Sequence, residues 1–230
     1  MPTYLYCLLP KGHEAPTQMP VGVGGAPVRA LGAGAITAWV ETVSDRTVTP
    51  TLDRVRAHDA VTEQALASNV TPLPVRFGQT FDSDDDCRAA LAAQEPRLLG
   101  DLERVRGMVE MRVLVALATA RTPEVEADAG SPGRVYMQQL LRIRGTEQGV
   151  HAAAAAVRER ITTVVGPFVR DEAVVVAASP TAMLTLSHLI ARDDVARYRA
   201  ALEDADAGAP VARLIVRGPV APYQFVSPPT

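Results

Sequence analysis

The sequence predicts an α+β protein of two domains, the C-terminal one ferredoxin-like (βαββαβ) and followed by a proline-rich tail. Three observations carry this expectation. Short β-rich runs and a well-capped helix occupy residues 1–107. At Val109 the apolar period switches to two, with Val109, Met111, Val113, Val115 and Leu117 alternating with Glu110 and Arg112. The longest helical stripe of the chain comes next, and strand, strand, helix and strand follow it. The domains are expected at residues 1–107 and 108–218, with residues 219–230 as a tail packing back on the body.

Residues 3–9 are rich in β formers and read as the first strand. Residues 11–25 are a loop punctuated by proline and glycine. Residues 27–31 and 35–43 flank Gly32-Ala33-Gly34, a hairpin signal, and the single tryptophan, Trp39, belongs in a core or a domain seam. Thr51 caps a helix over residues 52–68, with Asp53 in its first turn and Val55, His58, Thr62 and Leu66 on one side. The stretch Pro72-Leu73-Pro74-Val75-Arg76-Phe77-Gly78 then crowds apolar and rigid residues without helical period. It reads as a strand starting at an edge or bulge, with Leu73, Val75 and Phe77 pointing one way and Pro74 and Arg76 the other. Gly78 supplies a positive φ or a close backbone approach. Ser83 with Asp86 caps the next helix, and Pro96 separates it from another ending near Arg106.

In the second half, residues 109–117 form a strand with one buried face, and residues 122–130 an acidic connection. Ser131 and Pro132 open the longest helix, which Gly166-Pro167 stops. Tyr136, Leu140, Ile143, Val150, Ala154, Val157, Ile161 and Val164 make its apolar stripe, and Gly145 and Gly149 mark a possible bend. Residues 173–178 and 182–190 are strands joined by a turn at Ser179-Pro180-Thr181. A helix carrying Val195, Tyr198 and Leu202 runs to Gly208 and Pro210, and residues 211–217 are the last strand.

Composition narrows the function classes. The formal net charge is -3, and the 23 Lys and Arg are scattered, so no field for nucleic acid is expected. Cys7 and Cys87 lie far apart without metal-ligand spacing, which fits a reduced, cytosolic protein with neither disulfide framework nor zinc site. Leu8-Leu9 is cut by Pro10 and Lys11, so no signal peptide is read, and no run is long enough to span a bilayer. Gly22-Val23-Gly24-Gly25 lacks the Lys-Ser/Thr of a phosphate loop. Asp82-Ser83-Asp84-Asp85-Asp86 lacks the glycine and glutamate of a calcium loop, and is better read as a helix cap. His13, His58, His151 and His188 are dispersed, and Ser187 and His188, adjacent on a strand, point to opposite faces. His58 is given a structural role ahead of a catalytic one. The expectation is a protein with no catalytic, metal or cofactor residues.

Two stretches and two shorter motifs point further. Leu73, Pro74, Arg76, Phe77 and Gly78 match the Leu-Pro-x-Arg-Phe-Gly-Thr signature of the gas-vesicle accessory proteins of the GvpF/GvpL family, with Gln79 departing where threonine is common. Gly218, Pro219, Pro222, Tyr223 and Phe225 resemble the family's terminal Gly-Pro-Trp-Pro-Pro-Tyr-Ser-Phe, with departures at Val220, Ala221 and Gln224. Between them, Gly107, Glu110 and Val113 are similar to its Gly-x-x-Glu-x-x-Val, and Gly133-Arg134-x-Tyr136 to its Gly-Arg-x-Tyr. The resemblance runs in order along nearly the whole chain.

It implies a structural or assembly protein of gas vesicles, located with the vesicle in the cytoplasm. The implied partners are the small, hydrophobic major shell protein and other accessory proteins of the vesicle, with no nucleic acid and no membrane among them. The matched residues are then family-signature or partner-binding positions. The alternatives are a small-molecule or regulatory binding module on a ferredoxin-like scaffold, and an enzyme with an unrecognised site.

Overall fold

The structure, a computed structural model, describes residues 1–16, 18–116, 132–177, 183–207 and 213–227. The side chains of residues 132–148, 204–207 and 213 lie outside that set. So do the connection at 122–130, the turn at 179–181, the helix stop at Gly208 and Pro210, and the side chains of Tyr136, Leu140 and Ile143. By its internal contacts the chain divides into two compact units, Met1–Glu110 with Gly218–Thr230, and Met111–Arg217.

The first unit holds β1 (Thr3–Pro10), β2 (Arg29–Ala33), β3 (Ile36–Thr42), α1 (Leu52–Ala67), β4 (Leu73–Pro74), β5 (Thr80–Phe81), α2 (Asp84–Ala93) and α3 (Glu95–Val105). The sheet runs β2-β3-β1-β4, and β5 also pairs with β1. β1 is its spine, antiparallel to β3, β4 and β5. Its residues from Thr3 to Leu9 are all buried, as a strand covered on both faces must be. Leu5 and Leu8 pack with Ile36, Ala38 and Val40 against Cys87, Leu91, Leu98 and Leu102 of the α2–α3 pair. Tyr4, Tyr6, Cys7 and Leu9 face the other way, with Trp39 and with Val61 and Ala65 of α1. A register shift between Leu5 and Cys7 puts the neighbours Tyr6 and Cys7 on one face, the effect expected of a β-bulge.

Local chemistry fixes the helix ends. The Thr51 side chain accepts from the Arg54 amide and that of Ser83 from the Asp86 amide. The acidic run is used up by internal bonds: Asp84 accepts from Arg29 at 2.8 Å and Thr3 at 2.6 Å, Asp85 from Arg88 at 2.7 Å, and Asp82 pairs with Arg46.

One expectation needs correction. The signature stretch is not a single strand over residues 73–77; β4 ends at Pro74, and β5 starts at Thr80. Val75 still donates to the Tyr6 carbonyl at 3.0 Å, and Leu5 donates to the Gln79 carbonyl at 3.0 Å, so the chain leaves β1 only over Arg76, Phe77 and Gly78. Gly78, at φ +92°, turns the loop so that the backbone meets β1 again at Gln79. Strict alternation therefore fails: Leu73 and Val75 pack with the α2–α3 side, while Phe77 packs with the α1 side.

In the second unit β6 (Met108–Ala116) enters from the first, followed by α4 (Pro132–Val165), β7 (Val169–Ala177), β8 (Met183–Ala191), α5 (Val195–Ala207) and β9 (Arg213–Val220). The sheet order is β7-β8-β6-β9. Alternation on β6 buries Val109, Met111, Val113 and Val115. Val150, Ala154, Ile161 and Val165 continue the apolar stripe of α4, and Tyr198 and Leu202 are the buried side of α5.

Candidate partner-binding cleft

The loop at Arg76, Phe77 and Gly78 is held by a chain of hydrogen bonds from β1 and α1. The Gly78 amide donates to the Tyr4 hydroxyl at 3.0 Å, and that hydroxyl lies 2.9 Å from Nδ1 of His58. Nε2 of His58 lies 2.9 Å from the Val75 carbonyl, which can only accept. Nε2 therefore carries the proton, and Nδ1 accepts from Tyr4. The His58 ring stacks on Tyr6 with centroids 5.4 Å apart, and Phe77 meets Tyr4 and His58 edge-on at 6.0 and 5.8 Å. Burial pushes the Tyr4 phenol up to about 12 and holds the His58 ring below its ordinary value. Both ring nitrogens of His58 are thus spent on architecture.

Two expected results follow from this cluster. Gly78→Ala should lose about 1–2 kcal/mol, because φ +92° disfavours a Cβ although nothing lies within 4 Å of where it would stand. An unchanged urea midpoint for that variant would refute the strain argument. The second concerns pH. His188, like His58, is buried and has its pKa lowered by that burial. In the unfolded chain each ring protonates near pH 6.5. The unfolded state then binds more protons, so stability is complete above about pH 6.5 and is lost as pH falls towards the depressed folded values. Urea midpoints should decline from pH 7 to pH 5.5 and less steeply in His58→Gln; a flat wild-type profile would sink the claim.

The terminal signature docks on the first unit. Phe225 and Ala221 are buried, at 4% and 2% exposure. The Gln224 amide donates to Oε2 of the buried Glu110 at 2.9 Å, and Arg97 donates to the Ser227 carbonyl at 3.0 Å. Arg104 donates to the Phe225 carbonyl, and the Ser227 hydroxyl donates to Asp101 at 2.8 Å. The Tyr223 hydroxyl lies 3.4 Å from Asp59 and 3.5 Å from Thr62. Burial raises its pKa well above the usual phenol value. The Gly218-Pro219 peptide bond is cis. Arg97, Asp101 and Arg104 escaped the sequence reading, although their spacing on α3 puts three charges on one helix face.

Between these two stretches lies a cleft of about 360 Å³. Leu5, Leu8, Leu73, Leu91 and Leu98 are its buried floor, and Pro74, Tyr223 and Val226 line it as well. Arg76 and Gln79 are exposed lining residues, and among the described residues no Asp or Glu lines the cleft. Of the signature positions, Leu73, Pro74, Arg76 and Tyr223 thus meet at one cavity. Phe77, Gly78, Glu110, Pro222 and Phe225 are not among its lining residues, Gly218 and Pro219 lie on β9, and the Tyr136 side chain is outside the described residues.

Two further polar clusters are internal. The Gly22–Ala26 loop, so similar to a phosphate cradle, wraps the protein's own Glu41: the Gly24 amide donates at 3.1 Å and the Ala26 amide at 2.6 Å, and Tyr6 adds its hydroxyl. In the second unit Tyr198 donates to Nδ1 of His188 at 2.7 Å, and Nε2 donates to Glu172 at 3.2 Å. Burial opposes ionisation of Glu172, but the hydrogen bonds from Arg158 and His188 outweigh it and hold the carboxyl below its usual range. His188 and Tyr198 are 1% and 0% exposed, while Glu172 at the outer end reaches the exposed Arg158. Among the described residues no group of three or more His, Cys, Asp or Glu is placed to hold a metal, and no helix is long and apolar enough to cross a membrane.

Comparison with known proteins decides the family. The model for "Gas vesicle synthesis protein GvpL/GvpF" matches residues 2–227. The chain belongs to the GvpL/GvpF family. Gas vesicle protein F of Streptomyces sp. (strain CB03234) is 28% identical over 246 residues, spanning 98% of this chain and 100% of that one. The crystal structure of GvpF from Anabaena sp. PCC7120 superposes with TM-score 0.82 at 16% identity, covering 100% of this chain and 97% of the other. That of GvpF from Microcystis aeruginosa gives 0.79 at 14% identity, with 98% and 99% covered. This GvpL/GvpF chain therefore shares the mixed α+β fold of those proteins and has a role connected with gas vesicles.

Proposed function

We propose that this chain is a structural and assembly protein of gas vesicles that acts by binding, its partner being the hydrophobic major shell protein before or during vesicle formation. The observation that carries the reading is the meeting of Leu73, Pro74, Arg76 and Tyr223, from the family's two signature stretches, around one apolar cleft. A small hydrophobic shell protein exposes apolar surface before assembly, and such surface aggregates unless covered. A net charge of -3 keeps the binder itself in solution.

Within this reading the two units are separate domains, with the tail in the service of the first, and the second domain is ferredoxin-like by its strand order. No catalysis is involved: His58 and His188 both commit their two ring nitrogens to internal partners. The protein works in the cytoplasm at the vesicle, alongside other accessory proteins. Co-expression with the shell protein followed by pull-down is the direct test. A folded chain that neither captures the shell protein nor changes its solubility, together with intact vesicles after gene deletion, would overturn the proposal.

A further inference from the structure

We infer that Arg76 is the residue through which the cleft selects its partner: it pairs with an acidic side chain carried by the apolar segment that the cleft receives. This rests on the proposed binding role and adds the chemistry of the segment. Most arginines of the first unit already have carboxyl partners, as in Arg29 with Asp84 at 2.8 Å, Arg88 with Asp85 at 2.7 Å and Arg104 with Asp101 at 3.1 Å. Arg76 is exposed and has no hydrogen bond or ion pair among the described residues.

Among the described residues the cleft that it lines contains two arginines and no acid, in a protein whose net charge is negative. The other arginine, Arg97, is committed to the Ser227 carbonyl at 3.0 Å and to Gln94 at 2.6 Å. Positive charge left over at the mouth of an apolar cavity is complementary to an apolar segment bearing a carboxylate, which a guanidinium grips bidentately. The backbone presenting Arg76 is fixed on both sides, by His58 on the Val75 carbonyl and by Tyr4 on the Gly78 amide, so little ordering is needed on binding.

The test uses the full chain, co-expressed with the major shell protein and recovered by a tag at several salt concentrations. Arg76→Glu is expected to lower the captured shell protein about tenfold or more, and Arg76→Lys less, since an ammonium cannot form the two-pronged contact. Wild-type capture should weaken from 0.1 to 1 M salt, about the range over which surface charges become screened. Reversing one acidic residue of the shell protein to arginine should restore capture by Arg76→Glu. If the wild type captures the shell protein while neither substitution nor salt changes the yield, this inference is wrong and the binding role stands. If the wild type captures nothing, both fall. Arg76→Lys, which keeps the charge, decides the matter even if Arg76→Glu misfolds: capture equal to wild type would overturn the inference.

Discussion

Glu41→Gln is expected to lower the stability of the first unit by about 3 kcal/mol or more, one of the two largest losses foreseen for a single substitution. Glu41 is fully buried, and its two oxygens accept from the Gly24 and Ala26 amides and the Tyr6 hydroxyl. An amide presents NH₂ where the carboxyl presents an acceptor, so at least one donor meets another donor in a fully buried site. The loop is shaped to this one group. A Cβ at Gly22 would fall inside contact distance of the Glu41 carboxyl and the Tyr6 hydroxyl, and one at Gly24 would stand 3.0 Å from Val43. Gly22→Ala should accordingly destabilise in the same direction. For a chain of this size the loss corresponds to a fall in melting temperature of about 6–12 °C; a Glu41→Gln protein that melts with the wild type would show that the cradle contributes nothing.

Phe225→Ala should cost about 3–5 kcal/mol, because the ring is 96% removed from solvent and its loss leaves a cavity under the tail. The cost reaches beyond packing. Arg104 donates to the Phe225 carbonyl and Glu110 accepts from the Gln224 amide, so a tail that lifts off takes two charge-assisted contacts with it. Thermal melting of Phe225→Ala checks the claim, and an unchanged melting temperature would mean that the tail does not hold the body. Because Tyr223 and Val226 line the cleft, the same variant should also weaken capture of any partner seated there.

Much of this was legible in the residues. Thr51 and Ser83 announce their helices through side-chain oxygens that serve amides three residues on, a local bond any reader of sequence can place. The alternation at Val109, Met111, Val113 and Val115 marks a strand, although Glu110 on its other face is buried too, accepting from the Gln224 amide, and the signature motifs named the family because the matched residues stand in order along the chain. The misreading of residues 73–77 as one strand has an equally local cause. Alternation assumes an unbroken pleat, and the chain leaves the β1 ladder after Val75, so Phe77 turns to the α1 side without any change in the apolar pattern.

What the sequence by itself determined, then, is whatever rests on neighbours in the chain: caps, periods, turns, net charge and family motifs. What only the tertiary structure decided is which distant groups meet. The glycine-rich loop at 22–25 has the composition of an anion cradle, and sequence cannot say that its anion is Glu41, fifteen or more residues away in β3. Arg97, Asp101 and Arg104 are an ordinary charged helix face until the tail lies along it. Arg76 and Tyr223 come to one cleft only because β1 holds the signature loop while α3 holds the chain's end. Hydrogen-bonding and apolar groups act over a few ångströms, so their partners are set by the packing of whole elements and leave no trace in the order of the residues.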